Sequence, residues 1–165
     1  MDASDEIRSL LAAIAKVIRS KGFQIFSNNF LEEFCDEFED VEENRLRWTE
    51  LHQEYVRLSE QLISKELGNS GTVQDVAARL TELLSTGAEP DLDEASVESL
   101  DFILTLGDFL SFKDSMLVRK THRAIETLEL LEMEKDTAVA QRESELAELA
   151  LMQEKLNEKC DDLAK

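Results

Sequence analysis

Five phenylalanines, Phe23, Phe26, Phe30, Phe34 and Phe38, recur at intervals of three, four, four and four residues. That spacing places all five on one face of an α-helix. Each contributes about 1.5–3 kcal/mol when buried, so the stripe demands apolar partners from other segments. The chain supplies them at the same period. Ile7, Leu10, Leu11, Ile14, Val17 and Ile18 predict a first helix from Ser4 to Ser20, ended by Gly22. Asn29 with Glu32 reads as a local cap inside the phenylalanine stretch. Leu51, Tyr55, Leu58, Leu62 and Ile63 predict a third helix, with Thr49 as N-cap and "GNSG" as its break. Thr72 and Asp75 form a capping-box pattern before a fourth helix lined by Val73, Val76, Leu80, Leu83 and Leu84. After the loop "STGAEPDLD" comes a fifth helix with Val97, Leu100, Phe102, Ile103, Leu104 and Leu106. It is apolar nearly all round, as expected of the central helix of a bundle. Gly107 and Asp108 read as a kink or cap, and Phe109, Leu110, Phe112, Met116 and Leu117 continue the pattern.

Composition agrees with an all-α fold. The chain holds one proline and five glycines in 165 residues, and β-branched residues are sparse. No glycine or proline falls between Asp108 and Lys165, which predicts one long helix. Its later part changes texture. Ile125, Leu128, Val139, Leu146, Leu149, Leu156 and Leu163 occupy heptad a and d positions, but Glu132, Lys135, Arg142 and Gln153 share that register. So polar a seam makes a weak coiled coil. The division expected is a helical domain over residues 1–123 and a helical extension over 124–165, which projects or self-associates.

The net charge of −19 disfavours nucleic acid, whose recognition needs clustered Lys and Arg. It disfavours anionic membrane surfaces for the same reason. From Ala124 onward twelve acidic and five basic side chains give −7, which leaves −12 to the rest. The acidity is therefore not confined to a tail, and basic partners are favoured. Cys35 lies among phenylalanines and reads as a buried, reduced thiol, far in sequence from Cys160. The acidic N-terminus lacks the pattern of a signal peptide, and no apolar run reaches membrane-spanning length. A soluble cytoplasmic protein without direct membrane insertion is expected.

Chemistry-bearing motifs are scarce. Eight carboxylates lie in the twelve residues Glu32 to Glu43, yet an EF-hand needs alternating ligands and a glycine at the sixth position. Counted from Asp36, the third position is Phe38 and the sixth is Val41. A solvated acidic turn is the plainer reading, and a Ca²⁺ buffer the rival. His52 and His122 are the only histidines, and neither sits in a metalloprotease or nucleophile-elbow context. His52 reads as a helix-surface or boundary residue. There is no internal repeat and no nucleotide-binding glycine motif. No enzyme activity, metal or cofactor is expected. The stretch "FILTLGDFLSFK" offers apolar groups on more than one face, which suits a groove for an amphipathic partner helix.

Two ordered blocks carry a resemblance. The first is Phe38, Glu39, Asp40, Glu42, Glu43, Asn44, Arg45 and Leu46, followed by Trp48, Thr49, Glu54 and Tyr55. The second is Asp108, Phe109, Phe112 and Lys113. Over about Ser4 to His122 the chain resembles the BART domain family, and "WTELHQEY" is similar to its cilium- and flagellum-associated branch. The resemblance implies a six-helix BART-like bundle, here with a long C-terminal helical extension. It implies an effector or adaptor that binds the GTP-bound form of an Arf-like small GTPase. The GTPase's N-terminal amphipathic helix would enter a hydrophobic cleft, in ciliary trafficking. The cleft residues expected are Leu58, Leu62, Leu80, Leu83, Phe102, Ile103, Leu106, Phe109 and Phe112. Glu39, Asp40, Glu42 and Glu43 are candidates for polar contacts or helix-end capping, while Phe38, Leu46, Trp48 and Tyr55 read as core. Trp48 stands where the family more often has Tyr, and the loop from Gly68 to Asp93 and the extension depart from the family in length and character. The alternative is a structural coiled-coil scaffold that acts through its C-terminal helix.

Overall fold

Helix α1 (Ala3–Ile18) ends just before a tight reversal, and α2 (Lys21–Phe34) follows at once. A 3-10 turn, Cys35–Glu37, closes α2. Then come α3 (Leu46–Leu67), α4 (Val73–Ser85), α5 (Glu94–Leu106) and α6 (Phe109–Leu163). The computed structural model describes residues 3–68, 72–87 and 91–165, and among them there is no strand. The fold is all-α, as the periodicity predicts. Residues 69–71 of the "GNSG" break, residues 88–90 of the following loop and the Leu84 side chain lie outside the described residues. By its contacts the chain divides into two compact units, Met1–Lys120 and Thr121–Lys165.

Helix ends in the first unit have identifiable causes. Ser20, not Gly22, makes the α1–α2 boundary: its Oγ accepts the Phe23 N–H at 3.2 Å as N-cap of α2, and Gly22 lies within α2. Asn29 and Glu32 are interior to α2, whose N-cap is Ser20. The capping box before α4 forms as predicted. Thr72 Oγ1 accepts the Asp75 N–H at 3.2 Å, and the Asp75 carboxylate accepts the Thr72 N–H at 2.8 Å. Gly68 ends α3 with φ +57°, and Gly87 follows α4 with φ +74°. Both conformations disfavour any residue with a Cβ.

Two apolar cores fill the first unit. One joins Ile7, Leu11, Ile14 and Val17 of α1 to Ile63, Leu67, Val76, Leu80 and Ile103. The other joins Phe30, Cys35 and Phe38 to Trp48, Leu51, Phe112 and Met116, and Phe26 packs against both. The central helix is α1, which packs against α2, α3, α4 and α5. This corrects the expectation for α5, where Val97 is 51% and Leu104 is 68% exposed. Apolar residues all round α5 do not bury it, because its inward face is set by Ser96, Ser99, Ile103 and Leu106. The small Ser99 lets α5 approach closely, and its Oγ lies 2.8 Å from the Leu11 carbonyl oxygen.

Described by itself, the second unit is the part of α6 from Thr121 on. Its apolar heptad residues Ile125, Leu128, Val139, Leu146, Leu149, Leu156 and Leu163 are all exposed. No helix among the described residues is long and apolar enough to cross a membrane.

Candidate binding cleft

The two sequence blocks meet in the second core. Helix α2 stops at Phe34, so Phe38 is not on the helical stripe. It lies in extended backbone (φ −90°, ψ 142°) after the 3-10 turn. It is nonetheless fully buried. Its ring stacks on Trp48 with centroids 5.3 Å apart and meets Phe112 edge-on at 5.7 Å. Trp48 Nε1 donates to the Glu37 carbonyl at 2.7 Å. Helix α3 begins at Leu46, one turn earlier than Thr49 suggests, and its N-cap Arg45 makes no side-chain cap bond. Contacts from elsewhere hold that end instead. Leu46 itself is 76% exposed and is not core.

Lys113, the last residue of the second block, is buried. Its ammonium donates to the Val41 carbonyl at 2.6 Å and to Asn44 Oδ1 at 3.0 Å. It also lies 5.2 Å from the centre of the Trp48 ring, within cation–π range. Lys120 donates to the Phe38 carbonyl at 2.7 Å. Helix α6 therefore reaches across and ties down the acidic turn. Asp108 opens α6: its carboxylate accepts from the Ser111 hydroxyl at 2.6 Å and from the Ser111 and Leu110 N–H groups. The Ser111 hydroxyl, then the backbone N–H groups, hold the Asp108 carboxyl below its ordinary value.

His52, whose sequence context reads as helix surface or boundary, is buried. Its Nε2 lies 2.9 Å from the Leu106 carbonyl oxygen. A carbonyl only accepts, so Nε2 carries the proton. Leu106 is the last residue of α5, and the bond satisfies one of that helix end's orphan carbonyls. Sequence gave no hint of this role, because the partner is 54 residues away.

An open cleft of about 290 Å³ lies among the end of α1 at Ile18, α2, α3, α5 and the start of α6. Phe23, Leu31, Tyr55, Phe102, Leu106 and Phe112 supply its apolar wall, and Gln24, Ser27, Thr105, Ser111 and Ser115 its polar part. Of the nine expected cleft residues, Phe102, Leu106 and Phe112 come together here. Leu62, Leu80, Leu83 and Ile103 belong to the first core, and Leu58 and Phe109 pack on the second. Leu83 also lines a separate depression with Glu6, Ile7, Arg79 and Glu82. The polar rim, Ser27 with its hydroxyl 3.0 Å from Tyr55 Oη included, carries no signal in sequence.

The four acidic candidates sit on the turn above the second core, all exposed. Glu39 pairs with Arg45 at 2.7 Å, and the neighbouring Glu37 pairs with Arg47 at 3.1 Å. Among the described residues no group of three or more His, Cys, Asp or Glu side chains could hold a metal ion.

Residues 6–125 match the family model described as the ARF-like 2 binding protein BART. The ADP-ribosylation factor-like protein 2-binding protein of Mus musculus is 34% identical over 116 residues, covering 70% of this chain and 68% of that protein. The Homo sapiens protein of the same name is also 34% identical over 116 residues, with the same shares covered. The Xenopus laevis protein is 28% identical over 125 residues, 76% of this chain and 77% of its own. With both sequence blocks interlocked in one core and the match running from α1 into the first turns of α6, this chain belongs to the family described as the ARF-like 2 binding protein BART.

Proposed function

We propose that this chain is an effector or adaptor that binds an Arf-like small GTPase in its GTP-bound form. The single observation that carries the reading is family membership across residues 6–125, whose relatives are named as binders of ADP-ribosylation factor-like protein 2. In this reading the GTPase's N-terminal amphipathic helix inserts apolar side chains into the cleft walled by Phe102, Leu106 and Phe112. The cleft volume of about 290 Å³ is near the lower end of ligand sites. That suits a few anchoring side chains of a helix laid across it. A helix offered only with GTP bound couples binding to nucleotide state through differential affinity. Glu39, Asp40, Glu42 and Glu43 steer basic groups of the GTPase. The ciliary setting rests only on the likeness of "WTELHQEY".

Capture of the chain by an Arf-like GTPase loaded with a non-hydrolysable GTP analogue, compared with GDP, tests the reading. Strong capture by the GTP form alone is expected; equal or absent capture of both sinks it. Ser115 is exposed at the cleft, so Ser115→Arg obstructs it without disturbing either core. The variant should bind at least about tenfold more weakly, a loss near 1.4 kcal/mol, with unchanged thermal stability. Unchanged binding moves the site away from this cleft.

A further inference from the structure

We infer that the second unit pairs antiparallel with the same helix of a second copy, in a register symmetric about Thr137. This goes beyond the GTPase reading and does not depend on it. The starting observation is that every apolar a and d residue from Ile125 to Leu149 is exposed on α6, together with Glu132, Lys135 and Arg142 of the same register. Those three charges decide the orientation. In a parallel, in-register pair each meets its own copy, which stacks three layers of like charge into the seam. An antiparallel pair sets a positions against d positions instead. In the proposed register Ile125 faces Leu149 of the second copy and Leu128 faces Leu146. Glu132 faces Arg142, and Lys135 faces Val139. Every apolar residue but Val139 meets an apolar one, and the acidic residue meets a basic one.

Neighbouring registers lose this match. A shift of one heptad sets Ile125 against Arg142, or Glu132 against Leu149. Four of the five g positions add to the proposed face, since Ala124, Leu131, Ala138 and Met152 widen its apolar strip, and the fifth is Glu145. The e positions oppose it, with Glu129 near Glu143 and Asp136 near its own copy. Those carboxylates stay at the solvated rim, where salt screens them within about 8 Å. The apolar layers are not screened, so they decide the balance.

The test uses the full chain. Sedimentation velocity across micromolar concentrations should show a monomer–dimer equilibrium with helix content unchanged. E132R or R142E alone sets like charges together in two layers of the dimer and should weaken association about tenfold. The double variant E132R/R142E should restore it, because the swap preserves the opposite-charge layers only in the antiparallel pair. Disulfide trapping reads the register independently. In a C160S background, L128C mixed with L146C should give the mixed crosslink, and neither variant should crosslink to itself. A chain that stays monomeric throughout, a double variant no better than the singles, or efficient self-crosslinking of L128C overturns the inference.

Discussion

His52 and Ser59 lie seven residues apart on α3, both buried, and meet opposite fates. The imidazole of His52 donates to the end of α5 and packs between Phe109 and Phe112, with centroids 5.8 and 5.0 Å away. His52→Ala leaves a buried carbonyl without its donor and opens a cavity, and should cost about 3 kcal/mol in a denaturant melt. The Ser59 hydroxyl is fully buried and has no hydrogen-bond partner among the described residues. Ser59→Ala removes that cost and improves helix propensity, so the same melt should show a gain of about 1 kcal/mol. Sequence separates neither residue from an ordinary helix-surface position. The burial of His52 is set by Leu106, Phe109 and Phe112, far away in the chain.

Among the elements, legibility followed where the stabilising contact lies. The capping box of α4 is local, between Thr72 and Asp75, and could be read directly. The start of α3 has no side-chain cap and is fixed by Trp48, Glu37 and Lys113, so Thr49 misled. Phe38 kept the four-residue spacing of the stripe while leaving the helix, because a 3-10 turn re-aimed it into the core. The caps also predict an acid response. Asp75 is held below its ordinary carboxyl value by the Thr72 N–H and then the Thr72 hydroxyl, and Asp108 by Ser111. A depressed carboxyl contributes stability above the unfolded value, near 3.8, and loses it as pH falls through the lowered folded value. Acid also relieves the repulsion of a −19 chain, so absolute stability is a poor readout. The difference is a better one. Between pH 7 and about 3, Asp108→Asn should lose less thermal stability than the unaltered chain. Equal losses would remove Asp108 from the acid response.

For the whole molecule, helical period alone conveyed the all-α class, and two short blocks conveyed the family. The cleft was less legible. Its apolar wall draws on five elements, Ile18 of α1 among them, and residues that point inward look like residues that line a groove. Only packing separates Leu80, 3% exposed, from Phe102, which stays partly open. The same packing sets Lys113 apart from the exposed lysines. Lys113 is held between a carbonyl, an amide and an indole face, while Lys16, Lys21, Lys65 and the lysines of the second unit are exposed. An amine must reach the acylating reagent to attack it, and burial denies Lys113 that contact. Lys113 should therefore resist N-acetylation while those lysines react, and its modification rate should track opening of the domain. Mass spectrometry after a brief pulse, across a denaturant series, would make that single nitrogen a chemical clock for unfolding; labelling as fast as Lys65 in water would refute it.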